Sequence, residues 1–387
     1  MKKILIISFS PLHRDPRVKR QVKILKDSYN ITCAGYTDIE GSDVEFWPIK
    51  WSRISRYKRF NKSFLFITRQ YLKYYWHRPP IISLYNTWKD NGCQKFDLVI
   101  ANDILSLMVA LKIARDCPVF LDAHEYSPRQ SNSFFWKLFR APEVDWQCRT
   151  YLNKATLMST VNNSLSHEFE REYGKKSIVI YNAPMSRELE PGLTDGKVIR
   201  LVHHGGAARQ RGLEEIISIL NYLDDRYTLD FYLIAPNKQC IQYLSELKAL
   251  AQKFGDRISF REPVQTDQLP EELNQYDIGV ALIQPSNFNN AHSLSNKFFE
   301  FIQARLVLAT GPTPDMKELI EKFDLGIVSD DFSAKSLAGK ISSLSVDDIN
   351  RIKQKVHNSA DVLSFQESGK LLLKSVQELV GSGGCDV

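Results

Sequence analysis

Short, continuously apolar runs alternate with amphipathic helical segments along almost the whole 387-residue chain, and this alternation constrains the fold more than any other feature of the sequence. Runs that are apolar throughout are typical of parallel strands with both faces covered by helices. The sequence therefore predicts an α/β protein with parallel sheets. The helical segments include residues 17–26, 105–114, 213–223 and 238–254. Ten runs are predicted to be strands: residues 4–8, 31–36, 98–101, 119–122, 178–181, 200–203, 231–235, 258–261, 278–282 and 306–310.

The pattern starts once near the N-terminus and again near residue 200, which predicts two doubly wound, Rossmann-like domains. Between the two starts, residues 186–196 contain proline and glycine without apolar periodicity, and we assign them as a linker. The first domain then comprises residues 1–185, completed by a C-terminal helix within 363–387, and the second comprises 197–362. Ligands of such sheets bind outside the carboxyl ends of the strands, so we expect the site in a cleft between the domains.

Composition excludes several classes of protein. A net charge of +6 is too small to indicate a particular binding partner. The six cysteines form no CxxC pair or zinc-ligand set. His203 and His204 are adjacent in a predicted strand and point to opposite faces, so they cannot chelate one metal ion. The N-terminal apolar run ends at Ser8, short of the roughly 7–15 residues of a signal peptide, and no run approaches the ~20 residues of a membrane span. We therefore expect a cytoplasmic protein, and neither the cysteines nor this histidine pair suggests a metal site.

Residues 203–212, HHGGAARQRG, lead from a predicted strand into a helix and could bind an anion. Gly205 and Gly206 allow the backbone to approach a ligand closely, and a helix start offers free N–H groups. Arg209 and Arg211 add positive charge suited to a diphosphate. An ordinary strand-to-helix turn with solvated arginines explains the same residues equally well.

Residues 291–304, AHSLSNKFFEFIQA, predict a second helix whose start Ser293 or Ser295 can cap. Glu300 lies one to two turns into this helix, where a carboxylate could accept hydrogen bonds from a vicinal diol such as ribose. An exposed surface glutamate is the alternative. Three apolar residues at helical spacing should face the core: Leu294, Phe298 and Phe301.

GGAARQRGLEEII (205–217) and HSLSNKFFEFIQARLVLATG (292–311) together resemble the donor-binding half of the group 1, family 4-like retaining glycosyltransferases. DPRVKRQVKIL (15–25), LDAHEYSP (121–128) and IYNAP (180–184) are similar to motifs of the N-terminal half of that family, so the resemblance covers nearly the whole chain. It implies the GT-B fold: two Rossmann-like domains facing a cleft, with the C-terminal helix crossing back to the first domain. It also implies metal-independent hexosyl transfer, without a cofactor, from a nucleotide-sugar to a glycan or lipid-linked acceptor, in cell-surface polysaccharide biosynthesis.

The resemblance also implies roles for individual residues. Arg211 would contact the diphosphate and Glu300 the ribose hydroxyls, while His124 of the first domain would face the transferred sugar; these three form the implied catalytic set. Leaving-group charge would be stabilised by Arg209, Arg211 and helix N–H groups, with the departing phosphate deprotonating the acceptor. No nucleophile is identified. The implied donor-binding residues are Gly205, Gly206, Arg209, Arg211, His292, Ser293, Leu294, Ser295, Asn296, Lys297 and Glu300.

The chain departs from the family at two places. His292 stands eight residues before Glu300, where the family carries the first of two glutamates; we expect it either to face the sugar-diphosphate or to be a solvated loop histidine. The loop at residues 8–14 lacks the Gly-Gly of many relatives. Asp15 and Pro16 instead predict a helix start, with aspartate as N-cap and proline at the first helical position.

The segment from residue 46 to 89 contains ten Lys or Arg and no Asp or Glu, with aromatic residues interleaved. This pattern suits an anionic bilayer, a nucleic acid, or a solvated helix pair with buried aromatics. We favour a membrane surface at residues 51–78, because many related enzymes act on polyprenyl-diphosphate-linked glycans. We expect no nucleic-acid partner, since no recognised binding motif accompanies the charge. The protein would then be peripheral on the inner face of the membrane.

Two other functions fit the same motifs. One is a sugar-nucleotide epimerase or hydrolase of this fold, and the other is a non-catalytic sugar-nucleotide-binding partner subunit. Acceptor-dependent release of nucleoside diphosphate separates a transferase from both. A dinucleotide oxidoreductase is disfavoured because no GxGxxG follows either first strand.

Overall fold

The computed structural model describes residues 1–51 and 64–382 and divides into two compact units. One unit contains Met1–Tyr181 together with the C-terminal segment from Gly369, and the other contains Asn182–Ser368. Each unit is organised around its own parallel sheet.

The first unit contains a seven-stranded sheet of order β3-β2-β1-β4-β5-β6-β7, in which every pairing is parallel. At its centre, Ile4 of β1 is aligned with Ile31 on one side and Leu98 on the other, and all three are buried. Two of the strands, β3 and β6, were not among the runs expected from the sequence. The strands are β1 (Lys3–Ile7), β2 (Asn30–Gly35), β3 (Glu45–Pro48), β4 (Leu98–Asn102), β5 (Val119–Ala123), β6 (Leu157–Thr160) and β7 (Ile178–Val179).

Helices connect these strands as the parallel order requires. α1 begins as predicted, because Asp15 Oδ1 accepts the backbone N–H groups of Arg17 (3.2 Å) and Val18 (3.3 Å) and Pro16 is the first helical residue. A short π-helical turn, Trp136–Arg140, runs directly into α5. The helices of this part of the chain are α1 (Pro16–Leu25), α2 (Tyr71–Trp76), α3 (Pro79–Asp90), α4 (Ile104–Ala114), α5 (Ala141–Tyr151) and α6 (Asn163–Tyr173). Tighter 3-10 turns occupy Leu12–Arg14, Ser127–Arg129 and Leu152–Lys154.

The second unit contains a six-stranded sheet of order β10-β9-β8-β11-β12-β13, again parallel throughout. The short edge strand β13 was not expected from the sequence. The strands are β8 (Ile199–Gly206), β9 (Tyr227–Ile234), β10 (Ile258–Arg261), β11 (Ile278–Ala281), β12 (Val307–Thr310) and β13 (Gly326–Val328). Their helices are α7 (Leu213–Ser218), α8 (Lys238–Ala251), α9 (Leu269–Leu273), α10 (Phe288–Ala291), α11 (Asn296–Gln303), α12 (Pro314–Phe323), α13 (Ala334–Ser342) and α14 (Val346–Ser359). Further 3-10 turns span Arg209–Arg211, Ile219–Asn221 and Gln252–Arg257.

The segment expected to be a linker is hydrogen-bonded within the second unit. The backbone N–H of Arg187 donates to Gln303 Oε1 at 3.1 Å, and that of Thr194 donates to Asn350 Oδ1 at 3.0 Å. The segment lies within the second unit, which begins at Asn182.

The last helix, α15 (Phe365–Ser382), contributes residues to both units. Its first residue donates its backbone N–H to the carbonyl of Pro184 in the second unit. Leu372, Val376 and Leu379 belong to the apolar core that contains β1 and β2 of the first unit. Across residues 1–51 and 64–382, no helix combines the length and apolar character that crossing a bilayer requires.

Candidate active site

The glycine pair lies at the end of strand β8 rather than in the loop that the sequence suggests. β8 continues through Gly206 because residues 203–206 pair with residues 231–234 of β9. The loop is therefore only Ala207-Ala208, followed by the Arg209–Arg211 turn. Gly212 then takes a left-handed conformation, φ 61°, and α7 begins at the next residue. The β8 end thus brings bare backbone to the carboxyl edge of the second sheet.

Two cations converge on Gly205. A Cβ added to this glycine would lie 2.9 Å from Arg211 Nη1, 2.8 Å from Lys297 Cε and 3.2 Å from Lys297 Nζ. Gly205 has φ 128°, a conformation that disfavours any side chain. Arg211 follows β8, whereas Lys297 is the second residue of α11, so the fold joins two segments that are far apart in sequence.

These two cations lack an acidic partner. In the described ranges, neither Arg211 nor Lys297 forms an ion pair with a carboxylate, although Lys297 is only 8% exposed. Burial and, secondarily, the Arg211 charge lower the pKa of Lys297 to about 7, while the charge of Glu300 opposes this shift. Burial also lowers the pKa of Arg211. Buried unpaired charges are costly, so this arrangement favours a bound anion.

Arg209 points to a different place. Its guanidinium forms an ion pair with Glu246 of α8 and lies 5.0 Å from the centre of the Tyr243 ring. This exposed charge is already compensated. Arg209 therefore has less uncompensated charge to offer an anion than Arg211 has.

Glu300 is buried beside a neutral histidine. Its Oε2 lies 3.3 Å from His204 Nε2, without the orientation of a hydrogen bond. Burial, followed by the positive charge of Lys297, holds the pKa of His204 well below its usual value. His203 instead donates its Nδ1–H to the Val280 carbonyl (2.8 Å), so the two adjacent histidines contact different groups. Glu300 is thus a positioned carboxylate and not an exposed surface residue.

The helix that carries Lys297 and Glu300 begins at Asn296, with Ser295 in the N-cap position but without a capping hydrogen bond from its side chain. His292 instead ends the short helix α10, where its Nδ1 lies 2.9 Å from the Phe288 carbonyl and its ring stacks on the Phe288 ring. Ser293 donates its backbone N–H to the Asn290 carbonyl at 3.3 Å. The residues expected in the core are there: Leu294, Phe298 and Phe301 are buried.

Several buried hydroxyls at this edge have no hydrogen-bond partner in the part of the chain that the structure describes. They belong to Ser295, at the start of α11, and to Thr310 and Thr313, at the end of β12. The two threonines were not expected from the sequence, because a threonine at the end of an apolar run is indistinguishable from a strand residue. Asn296 is satisfied, since its Oδ1 accepts from Asn182 Nδ2 at 2.8 Å.

In the first unit, His124 follows β5 and contacts a buried polar network. Its Nε2 lies 3.2 Å from Asn102 Oδ1 and 3.5 Å from Asp122 Oδ2. Burial raises the pKa of Asp122, but the Arg17 guanidinium (3.0 Å) and hydrogen bonds from His124 and Ser159 outweigh it and hold that pKa well below its usual range. His124 thus sits at the carboxyl edge of the first sheet, oriented by an ionised carboxylate.

The residue after β4 fixes the backbone at His124. Asp103 has φ 65°, and its Oδ1 accepts the backbone N–H of His124 at 3.0 Å. Such a conformation is unfavourable outside glycine and is often found at functional sites. No cluster of three or more His, Cys, Asp or Glu residues suited to a metal ion occurs within residues 1–51 or 64–382. The expectation of a metal-free site stays a prediction.

Solved structures resemble the whole chain. Sucrose-phosphate synthase from Thermosynechococcus elongatus is 12% identical with a TM-score of 0.73, and the match covers 99% of this chain and 100% of that one. HepE from Anabaena, solved with UDP and glucose, is 14% identical with a TM-score of 0.71, over 97% and 100% of the two chains. WaaG, a glycosyltransferase of lipopolysaccharide biosynthesis, is 12% identical with a TM-score of 0.63, over 98% and 100%. No family model matches the sequence, and a search of curated proteins found no relative.

These neighbours are glycosyltransferases of the GT-B class, and the chain has the GT-B fold: two α/β units, each with a parallel sheet. The prediction of the fold class from the alternating apolar runs and motifs is therefore confirmed. The roles of the individual site residues stay predictions.

Proposed function

We propose that the protein is a retaining glycosyltransferase that transfers a hexose from a nucleotide-sugar to a glycan or lipid-linked acceptor. The observation that carries this proposal is the pair of cations Arg211 and Lys297 at the bare backbone of Gly205. Lys297 is buried, and neither cation forms an ion pair with a carboxylate in the described ranges. Two cations beside a helix start favour a group with two adjacent negative charges, as a diphosphate has. HepE was solved with UDP and with UDP-glucose, so UDP is the first ligand to test.

The remaining donor contacts follow from the same edge of the sheet. Glu300, three residues after Lys297 on α11, accepts hydrogen bonds from the ribose hydroxyls. The free N–H groups at the α11 start and the unpartnered Ser295 and Thr313 hydroxyls hold the phosphates and the sugar. His292 supplements these backbone contacts in place of the glutamate found in the resembling family.

In the reaction, the bond between the anomeric carbon and the phosphate oxygen breaks, and its electron pair stays on the phosphate. Arg211, Lys297 and the helix N–H groups stabilise that charge without a metal ion. The acceptor hydroxyl oxygen bonds to the same carbon, and its proton passes to the departing phosphate. His124, held by Asp122 and Asn102, contacts the transferred sugar from the first unit.

For the acceptor, we propose that the protein binds peripherally to an anionic membrane surface. Residues 52–63, with Arg56, Lys58 and Arg59 of the expected membrane segment, lie outside the described residues. Nearby, ring contacts of Phe66 with Tyr74 and with Phe139 join residues 64–76 to residues 134–140. Six exposed apolar residues of these two segments form what we call the aromatic surface: Phe64, Ile67, Leu72, Phe134, Phe135 and Leu138.

Exposed cations border the aromatic surface, among them Arg69, Lys73 and Lys137. Apolar rings with neighbouring cations suit the interface of an anionic bilayer. Phe134 and Phe135 alone are 71% and 73% exposed, which is unfavourable in water without a partner. A lipid-linked acceptor in cell-surface polysaccharide biosynthesis fits this surface, and WaaG belongs to lipopolysaccharide biosynthesis.

The decisive test measures release of nucleoside diphosphate from a panel of nucleotide-sugars, with and without candidate acceptors. A transferase releases it only with an acceptor, an epimerase isomerises the donor without one, and a binding subunit releases none. In parallel, calorimetry compares UDP with uridine for Arg211→Ala and for the matched control Arg209→Ala. We expect Arg211→Ala to weaken UDP binding at least tenfold and uridine binding little, with Arg209→Ala close to wild type. Equal losses for both ligands would reject a diphosphate contact.

A further inference from the structure

The first unit contains a cavity of about 200 Å³ on the acceptor side of the proposed reaction. Its wall includes Asp103 and Glu125, the residues that flank His124 in space and in sequence. Trp136 of the π-helical turn and Gln147 of α5 form other parts of the wall. The cavity is smaller than the roughly 300–1,000 Å³ of sites for drug-sized ligands, and its size suits a single ring.

A buried amide oxygen in this cavity lacks a partner. Gln147 is 2% exposed, and its Nε2 donates to Glu143 Oε1 at 2.5 Å. This bond fixes the amide orientation and leaves Gln147 Oε1 without a hydrogen-bond donor in the described part of the chain. Buried polar atoms are normally satisfied, so an unsatisfied acceptor in a cavity wall indicates a ligand that donates a hydrogen bond.

Around the cavity, three carboxyl groups stand against two cations. Arg78 and Arg140 both line it, and each binds one oxygen of the buried Glu143 carboxylate, at 2.6 Å in both cases. Asp103 and Glu125 add two carboxyl groups, and partial burial together with the Asp103 charge raises the pKa of Glu125. Among the described residues that line the cavity, no excess positive charge remains for a phosphate or carboxylate ligand, in contrast to the cations at Gly205.

The wall also offers what a sugar ring needs. Trp136 lines the cavity, and the Arg140 guanidinium lies 5.9 Å from the centre of its indole ring. The carboxyl groups of Glu125 and Asp103 can accept hydrogen bonds from hydroxyls. Gln130, which also lines the cavity, donates its Nε2–H to Glu125 Oε2 at 2.6 Å. π-helical turns are rare and frequently occur at functional sites, and this one presents Trp136 and Arg140 together.

We propose that this cavity binds one neutral sugar ring of the acceptor, with the Gln147 carbonyl and the Glu125 and Asp103 carboxyls accepting its hydroxyls and Trp136 packing on its apolar face. This assignment rests on the proposed glycosyltransferase function and adds the chemical class of the acceptor: an uncharged pyranoside, not a phosphosugar or uronic acid. The exposed Phe134 and Phe135 precede Trp136 directly, so a sugar held here would lie next to the aromatic surface.

The test is direct binding in the absence of any donor. Saturation-transfer NMR with the whole protein should detect at least one of the neutral methyl pyranosides of glucose, galactose, mannose and N-acetylglucosamine. Affinity should be roughly millimolar, as a single small ring allows. Trp136→Ala and Gln147→Leu should each weaken binding about tenfold, the loss expected for one good contact. Phe134→Ala, on the same segment but outside the cavity wall, should bind as wild type does, and all three variants should keep the wild-type affinity for UDP.

Three results would overturn the assignment: no signal from any of the four glycosides, a signal unchanged in both Trp136→Ala and Gln147→Leu, or displacement of the glycoside by inorganic phosphate. Because Gln147 is buried, circular dichroism and an unchanged thermal unfolding transition of the first unit establish that its variant is folded. Trp136→Ala tests the same cavity from a partly exposed position. If glycosides bind as expected but no nucleotide-sugar is turned over, the cavity stands and the transferase proposal fails. Turnover without glycoside binding would leave the transferase proposal standing and reject the cavity.

Discussion

Arg211 and Lys297 meet above the Cα of Gly205, although 86 positions of sequence separate them. Only a residue without a side chain leaves room for both, because an added Cβ would lie 2.8 Å from the Lys297 side chain and 2.9 Å from that of Arg211. The glycine is therefore part of the cation site itself and not merely of the turn that follows it.

Gly205→Ala should separate the two cations. Alanine at φ 128° is strained by roughly 1–3 kcal/mol and its methyl group displaces Lys297 or Arg211. We expect at least a tenfold loss of UDP affinity by calorimetry, with uridine affinity nearly unchanged. Gly206→Ala is the matched control, since its Cβ would meet only Arg211 Cζ, at an ordinary 3.9 Å. Equal affinities in the two variants would show that the cations do not depend on this space.

Binding of a diphosphate should be coupled to uptake of a proton. The pKa of Lys297 is lowered to about 7, so at pH 8 most of the free protein carries a neutral lysine, and bound negative charge raises that pKa again. Affinity for UDP should then fall as the pH rises above about 7, by up to about tenfold per unit. Calorimetry at pH 8 in buffers of different ionisation enthalpy measures the uptake, which Lys297→Met should abolish. An unaltered uptake in that variant would assign the proton elsewhere.

The same shift has a consequence for stability. Because the folded pKa of Lys297 lies below its unfolded value of 10.5, the unfolded chain binds more protons between pH 7 and 10.5. Lys297 therefore makes the free energy of unfolding increase with pH in this window. The stability advantage of Lys297→Met over wild type in denaturant titrations should be greatest below pH 7 and shrink toward pH 10.

Glu300→Gln should weaken nucleotide binding through the ribose. A hydrogen bond to a charged group is worth about 1.5–3 kcal/mol, so affinity for UDP should fall tenfold or more by calorimetry. The loss should be smaller for 2′,3′-dideoxyuridine diphosphate, which lacks the diol. Glu246→Gln, which removes the surface partner of Arg209, serves as the control and should leave affinity near wild type. Identical losses for both nucleotides would remove the ribose assignment.

His124→Ala should abolish transfer while leaving UDP affinity intact, because the histidine belongs to the other unit. The variant should fold, since Arg17 and Ser159 still compensate Asp122. His167→Ala, an exposed histidine of the same unit, should be neutral in both measurements. A lowered melting temperature with a proportionate loss of rate would instead make His124 a structural residue.

Membrane binding should depend on the aromatic surface. Co-sedimentation with liposomes should increase with anionic lipid and decrease with salt, and Phe134→Glu with Phe135→Glu should reduce it several-fold. Ile241→Glu, a similarly exposed apolar residue on α8 of the second unit, is the control. Binding that ignores lipid charge, or that persists in the double variant, would reject this surface.

Three strands, β3, β6 and β13, were not predicted from the apolar runs of the sequence. The apolar runs predict ten strands correctly, because a strand buried on both faces must be apolar throughout. β3 and β13 are short edge strands, and β6 ends in two polar residues, Ser159 and Thr160. The Ser159 hydroxyl donates to Asp122 at 2.7 Å, so the residue that obscured this strand is one that the buried network uses.

The candidate site likewise contains residues that the sequence could predict and residues that only the tertiary structure brings together. The glycines and Arg211 are neighbours in sequence, so their association could be predicted from one motif. The positions of Lys297 over Gly205 and of Glu300 beside His204 depend on how α11 packs against β8, which no local pattern encodes. Gln147 gave no signal at all, because an amide in an amphipathic helix is unremarkable until its partners are known.

Helix α15 places the final piece of the first unit's core at the far end of the chain. Leu372 and Val376 are almost fully buried among residues of β1 and α1, more than 340 positions earlier. During synthesis, these side chains become available to the first unit's core only after the whole second unit has been translated. A break anywhere in residues 182–368 would leave the N-terminal fragment without these side chains. The second unit is therefore built from one continuous segment of the chain, whereas the first unit is assembled from two segments that lie at opposite ends of the chain.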